Sequence, residues 1–492
     1  MSSTQSTGTQ STGTQPGGAF RVEENGINIV SDAERKGTPR DLFWPWAAAN
    51  VSVFGISYGA FTLDFGISFW QAFVAGVIGI IFSFWLCGVI AISGKHGSAP
   101  TMILSRAAFG VEGQKLPSAI SWILTVGWET VLTILATLAT ATVFERLGWG
   151  GGTTTKLIAM VVVSVIIIGA GVLGFDTIMK VQTWITYVTG ILTVGYFLLV
   201  WDKVDWNAIN SIPTGSAQSF IGALIFLLTG FGLGWVIAAG DYSRYLPRTS
   251  SNSGIVWWTT LGASIFPLIL LIFGLMLAGS SKDLKDGIAM DPIGALAAEL
   301  PTWYLVPFVI VAVLGLVGGA VLDIYSSGLA LLSAGIRIPR PVAALIDGIL
   351  MVLGTTYVVF FADNFLNPFM GFLITLGVPV AVWAGIMVVD VLLRRRDYSG
   401  EDLFDARGRY GAVNPKTMAL MAVGTIVGWG LVTNGYAGWL KWQGYLLGPL
   451  GLGGREGPWA WANLGVLAAL LIGSLGYWAL CANDVRRQEA RD

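Results

Sequence analysis

Charge is scarce in this 492-residue chain: Asp, Glu, Lys and Arg make up 12% of it, about half the roughly 25% of a soluble domain. Histidine is scarcer still, with His96 alone, and the only cysteines are Cys87 and Cys481. So few of either excludes a Cys/His zinc centre or a disulfide framework. Both cysteines fall in apolar runs and read as small packing residues. His96, beside Lys95 in a loop, reads as a surface residue. No phosphate loop or HExxH occurs, which leaves an ATP-driven pump or a zinc protease without support. The net charge of −1 gives no sign of a nucleic-acid partner. Neither a cofactor nor an obligate protein partner is indicated.

What is abundant is apolar, 54% of the chain. Runs of about 20 apolar residues, the length that crosses a bilayer, occur near 42–64, 70–93, 118–143, 157–175, 183–201, 218–239, 255–279, 303–334, 342–361, 366–393, 416–434 and 459–481. The fold class is therefore an all-α polytopic membrane protein with about twelve transmembrane helices. The opening "MSSTQSTGTQSTGTQPGG" has the composition of a disordered segment. It lacks the apolar core of a signal peptide, so span 1 is expected to be the first insertion signal. With the N-terminus inside, 21 of the 28 Lys and Arg residues fall on the cytoplasmic side, so both termini are expected in the cytoplasm.

Span 6 carries "TGFGLGWVIAAGDYSRYLPR", residues 229–248, with Gly230, Gly232 and Gly234 in mid-membrane. Such glycines either pack helices closely or open the backbone toward a cavity, as in carriers. Asp241 and Arg244 at its end have the spacing of a pair on one helical turn. Span 1, "FWPWAAANVSVFGISYGAF", offers a counterpart with Pro45, Asn50, Ser52, Gly55 and Gly59. Spans 1 and 6 are five apart, so an inverted repeat with both first helices interrupted is the expectation. The layout is then a disordered cytoplasmic tail over 1–40 and a ten-helix core over 41–393 with repeats at about 41–201 and 218–393. A cytoplasmic loop over 394–415, two appended helices in 416–481 and a cytoplasmic tail over 482–492 complete it.

Ionisable residues inside spans are costly and point to function. Glu129, in "VGWETVLTILAT", and Asp323, in "LVGGAVLDIYSSGLALLSAG", lie well inside; Asp176 is close to an end. On span 8, Asp323, Ser326 and Ser327 share a face with small residues and suit either a hard cation or interhelical hydrogen bonding. On span 3, Thr125, Trp128 and Glu129 share a face, where Trp128 offers a flat stacking surface and Glu129 an acceptor, a proton carrier or an ion-pair partner.

Several stretches together resemble the nucleobase:cation symporter family 1, in its purine/cytosine permease branch, over roughly 40–480. They are "GWVIAAGDYSRYLP", "SAPTMILSRAAFGVEGQKLPS", the "GW" of span 3, "DIYSSGLAL", and "GIMVVDVLLRRRDY" with "DLF". The resemblance implies a five-plus-five inverted-repeat (LeuT-like) fold, alternating access, and cation-coupled symport of a heterocycle of cytosine, purine, uracil, allantoin or hydantoin type across the plasma (inner) membrane. Trp128 matches the family's ring-stacking tryptophan of span 3, and Trp235, after Gly234, the one on the ring's other face; Asn50 matches the polar contact of span 1. In Na⁺-coupled members tandem hydroxyls of span 8 hold the ion; they match Ser326 and Ser327, with carbonyls from Asp323, Ala49 and Trp46. Relatives often place Asn or Gln where this chain has Leu132, and Asn where it has Asp323. Na⁺ is favoured as the coupling ion over H⁺, for which Glu129 or Asp323 would be the carrier. The rival readings are an amino-acid-type carrier of the same fold, a membrane-embedded enzyme, and a channel.

Overall fold

The computed structural model describes residues 26–172, 175–362 and 365–490, without the side chains of 175–177 and 366. Asp176 thus lies outside the described side chains, and the low-complexity opening outside the described residues. Among the described residues every regular element is helical. Span 1 is broken into α1a (Phe43–Asn50) and α1b (Phe54–Leu63). Then come α2 (Phe69–Gly97), α3 (Lys115–Arg146), α4 (Thr153–Val172), α5 (Phe175–Val200) and α6a (Ala217–Gly230). After a turn at Gly232–Trp235 and a 3₁₀ turn at Val236–Ala238, span 6 ends in α6b (Ala239–Ser243). The remainder is α7 (Asn252–Ser280), α8 (Leu305–Ser333), α9 (Arg340–Phe361), α10 (Leu366–Leu393), α11 (Pro415–Gly430) and α12 (Leu464–Glu489).

Ten of these units are long and apolar enough to cross a membrane. The two of the expected twelve that fall short are α1, whose halves have 8 and 10 residues, and α11, with 16. Local sequence explains the boundaries. Ser68 caps α2 by accepting from the Gln71 N–H, with Gln71 returning the bond, and the helix stops where Ser98 turns left-handed at φ 52°. Ser216 and Ser251 cap α6a and α7 by accepting from the Ser219 and Gly254 N–H groups.

The helices pack as two groups. α7 lies along α2, α1b and α1a, and α6a and α6b lie on α2, so α1, α2, α6 and α7 form one group. α8 lies along α3, and both contact α4 and α9, which forms the second. α1a bridges the groups through α8 and α5, while α10 packs on α12, α11, α2 and α3. The closest approach within the first group uses glycine. A Cβ at Gly59 would stand 2.2 Å from the Gly274 carbonyl carbon, and one at Gly274 1.9 Å from the Ile56 oxygen.

Two expectations about the termini change. Residues 26–40 of the tail foreseen as disordered are held in place: the Val30 N–H donates to the Ser98 carbonyl, the Lys36 N–H to that of Tyr245, and Arg35 Nε to that of Leu246. Helix α12 continues to Glu489 instead of ending near 481, because Glu489 accepts from the Arg395 and Arg396 N–H groups and Gln488 from Arg394. His96 is also no bystander. Its Nδ1 lies 2.5 Å from Asp397, which also binds Arg248 at 2.7 Å, so it ties the end of α2 to the segment after α10.

Gly59→Ala should lower the thermal midpoint of the detergent-solubilised protein, since overpacking costs about 1–3 kcal/mol. Gly190→Ala on α5, where nothing lies within 4 Å, should hold or raise it. Equal midpoints for the two variants would show that α1b and α7 are not in backbone contact.

Candidate functional site

The break in span 6 falls at Phe231, whose φ −110° and ψ −103° leave the helical region. Its groups are satisfied by protein. The Gly232 N–H donates to Ser83 Oγ at 3.1 Å, and the Tyr58 hydroxyl reaches the Gly230 carbonyl at 3.3 Å. The three glycines divide their labour. A Cβ at Gly232 would stand 2.4 Å from the Ser83 backbone, and one at Gly230 2.8 Å from the Tyr58 ring, so both are packing positions. Gly234 instead faces Trp128, with its Cβ position 3.1 Å from Trp128 Nε1. In span 1 the helix stops at Asn50, whose Nδ2 turns back to the Trp46 carbonyl at 2.8 Å, and resumes at Phe54.

The break sets Gly234 against Trp128 of the second helix group, with Trp235 next along the chain. Both tryptophans are half-buried, whereas Trp46 is wholly enclosed. Trp235 meets Trp46 edge-on, centroids 5.7 Å apart, and Trp128 meets Phe369 edge-on at 5.7 Å. A cavity of about 10 Å³ lies against Trp128, Leu233 and Gly234. It shares Thr229 and Leu373 with a second of about 30 Å³. That one shares Phe65, Met370, Tyr436 and Trp461 with a third of about 360 Å³ that opens beside Asp64 and Gln218. A line of narrowing cavities thus runs to Trp128 from the face opposite the N-terminal tail.

The remaining candidates sit nearby with different partners. The Thr125 hydroxyl is spent on its own helix, at the Ser121 and Trp122 carbonyls. Leu132 packs against Gly319 of α8. The Ala49 carbonyl also faces Gly319, 3.5 Å from where a Cβ would stand. Ser326 Oγ lies 3.1 Å from the Tyr242 hydroxyl, which donates to the Leu322 carbonyl at 2.9 Å. Ser327 Oγ donates to Asp347 of α9 at 2.8 Å. The two hydroxyls are therefore engaged by different helices. Glu129 and Asp323 are buried, and Glu129 faces Ser327 and Asp347.

The pair foreseen between Asp241 and Arg244 is replaced by longer links. Asp241 accepts from the Thr101 N–H and hydroxyl, both at 2.8 Å. Arg244, wholly buried, donates to the Tyr325 hydroxyl at 2.9 Å and to the Gly26 carbonyl at 2.8 Å. A one-turn pair at an interface contributes little; these bonds tie α6b to the segment before α3, to α8 and to the tail. Sequence reading missed Asp347, Tyr242 and Thr101. Asp347 carried the same signal as Asp323, a carboxylate within an apolar run, but lies near the start of its span.

Two helix groups, two interrupted spans and a pair of tryptophans at the break define a multi-pass integral membrane transporter. Residues 29–448 match the family model described as a permease for cytosine/purines, uracil, thiamine and allantoin, and the chain belongs to that family. It is 25% identical over 421 residues to the Saccharomyces cerevisiae purine-cytosine permease FCY2, covering 79% of this chain and 74% of that one. It is 23% identical over 408 residues to the Emericella nidulans purine-cytosine permease fcyB, covering 77% and 75%. Among solved structures, Mhp1, a nucleobase-cation-symport-1 family transporter in a closed conformation with bromovinylhydantoin bound, superposes with TM-score 0.68 at 18% identity, covering 94% of this chain and 98% of that one.

Gly234→Ala should fold normally and alter tryptophan emission, because only the Trp128 indole edge must move. Gly232→Leu should fail to accumulate as a monodisperse protein, because it meets α2 backbone. The reverse order would place the opened position at Gly232.

Proposed function

We propose that the protein imports a nucleobase or a related flat heterocycle across the plasma (inner) membrane by cation-coupled symport, with both termini cytoplasmic. The supporting observation is the pair of half-buried tryptophans that the span 6 break sets at the junction of the helix groups. A flat ring gains most from such aromatic faces. The ring lies between Trp128 and Trp235, with Gly234 leaving the indole edge room and Asn50 offering its amide oxygen beside the span 1 break. Thr125 shapes the wall through Trp128's own helix. The cavities running from the opposite face are the route of entry, and the excess of Lys and Arg on the tail's side supports the orientation.

The coupling ion is Na⁺, held near α8 by the Ser326 and Ser327 hydroxyls with carbonyls of Asp323, Ala49 and Trp46. Hard cations take oxygen ligands, and α1a ends with its carbonyls against the glycines of α8. Ser326→Ala should raise the Na⁺ concentration for half-maximal uptake more than it changes substrate affinity at saturating Na⁺, since ion and substrate binding are reciprocally coupled.

Uptake of radiolabelled cytosine, adenine, uracil, allantoin and hydantoin into proteoliposomes, with and without a Na⁺ gradient, tests the reading. At least one should accumulate against its gradient only with Na⁺. Trp128→Ala and Trp235→Ala should each weaken its binding by roughly 1–3 kcal/mol, the scale of base–aromatic stacking. Unchanged affinity in both folded variants removes the tryptophans from the site, and full uptake in choline medium removes Na⁺.

A further inference from the structure

The membrane interior of the second helix group holds three buried carboxyl groups, and no basic side chain is paired with them among the described residues. Glu129 is wholly buried on α3, and neither carboxylate oxygen has a hydrogen-bond partner. The groups that face it are the Ser327 hydroxyl and the carboxylates of Asp347 and Asp323. Asp347, also wholly buried, accepts from Trp122 Nε1 at 2.7 Å and from Ser327 Oγ at 2.8 Å. Asp323 has one carboxylate oxygen without a partner. Among the described residues no Lys, Arg or His forms an ion pair with any of the three.

Buried charges are retained only when paired or metal-bound, and an uncompensated one costs several kcal/mol. In lipid the cost is no smaller, and such residues mark ion pathways. Structural hydrogen bonding accounts for Asp347, whose two oxygens both have donors. It does not account for Glu129, which is aimed at a serine whose own proton is committed to Asp347. The Ser327 oxygen keeps lone pairs for a further partner. A positive charge accepted by Glu129 on one side and by Ser327 and Asp347 on the other satisfies all three at once. Among the described residues no three His, Cys, Asp or Glu side chains converge as for a divalent metal centre. Two carboxylates and a hydroxyl are an all-oxygen set suited to a monovalent hard cation.

We propose that Glu129, Ser327 and Asp347 form an anionic Na⁺ seat between α3, α8 and α9, so that the coupling cation is held by carboxylates on this side of Ser327 as well as by the oxygens facing α1a. The inference rests on the cation-coupled reading but names ligands that reading does not contain. It also joins the ion to the ring: Glu129 follows Trp128 on α3, and Ser327 follows Ser326, whose hydroxyl partner Tyr242 packs edge-on against Trp46, the neighbour of Trp235. A cation drawing α3 toward α8 and α9 therefore acts on the backbone that carries Trp128.

Equilibrium binding of ²²Na⁺ to the purified full-length protein, with no heterocycle present, is the test. Glu129→Gln and Asp347→Asn keep side-chain shape and remove charge. Each should raise the half-saturating Na⁺ concentration by about tenfold or more, at least the loss seen when a metal's outer-shell partner is removed. Glu145→Gln, exposed on the same helix, should leave it unchanged. Size-exclusion profiles and heterocycle binding at saturating Na⁺ establish folding; Glu129→Ala supplies a second variant if Glu129→Gln is aggregated. Wild-type Na⁺ affinity in folded Glu129→Gln and Asp347→Asn overturns the seat. So does heterocycle binding that ignores Na⁺, rises with acidity and is lost in Glu129→Gln, because the carboxyls then carry protons. Tight Na⁺ binding that depends on Glu129, in a protein that takes up none of the five heterocycles, upholds the seat while refuting the substrate class.

Discussion

Interrupting a helix inside a bilayer strands backbone groups that lipid cannot hydrogen-bond, each at a cost of several kcal/mol. Much of this structure follows from meeting that cost at two places. At the span 6 break the partners are Ser83 and Tyr58, on α2 and α1b. At the span 1 break Ser52 Oγ accepts from the Phe54 N–H, while the Asn50 amide folds back onto its own helix. Because Ser83 must reach Gly232, α2 lies close against the break; because Tyr58 must reach Gly230, α1b does too. The first helix group is thus assembled around the opening in span 6, and the glycines of α1b and α7 allow the required closeness.

The same constraint explains how much was legible in the sequence. Long apolar runs located nearly every span, since a helix in lipid has no other way to satisfy its backbone. Glycines at 230, 232 and 234 located the break in span 6, but their spacing could not separate a glycine that packs from one that opens; that depends on which helix lies opposite, and Ser83 lies some 150 residues away. Glu129 and Asp323 were visible as carboxylates in apolar runs. Their company was not, because Asp347 sits a few residues inside its span and its importance arises only when α9 packs on α3 and α8. Asp241 and Arg244 show the converse. Sequence adjacency suggested a pair, and tertiary structure gave each a better partner elsewhere.

The two tryptophans illustrate a division of labour between the helix groups. Trp235 is braced edge-on by Trp46, itself braced by Tyr242, so this face is supported in depth. Trp128 is flanked by Phe369 and Phe372 of α10, a helix that also lines the cavities leading outward. One face is fixed by the bundle and the other is tied to the helix that borders the line of cavities. On the reading proposed above, a ring arriving between them would contact elements of both groups.

The ordered tail has a consequence for biosynthesis. Residues 26–36 leave the ribosome before any span, yet their partners include Ser98, Tyr245 and Leu246, and Arg244 closes on Gly26 across more than 200 positions. The tail cannot finish docking until six spans have been made and the turn after α6b has reached the same side of the membrane. Its seating therefore requires that the ends of spans 2 and 6 have met on one side of the membrane, so the nascent chain must hold this strap in reserve.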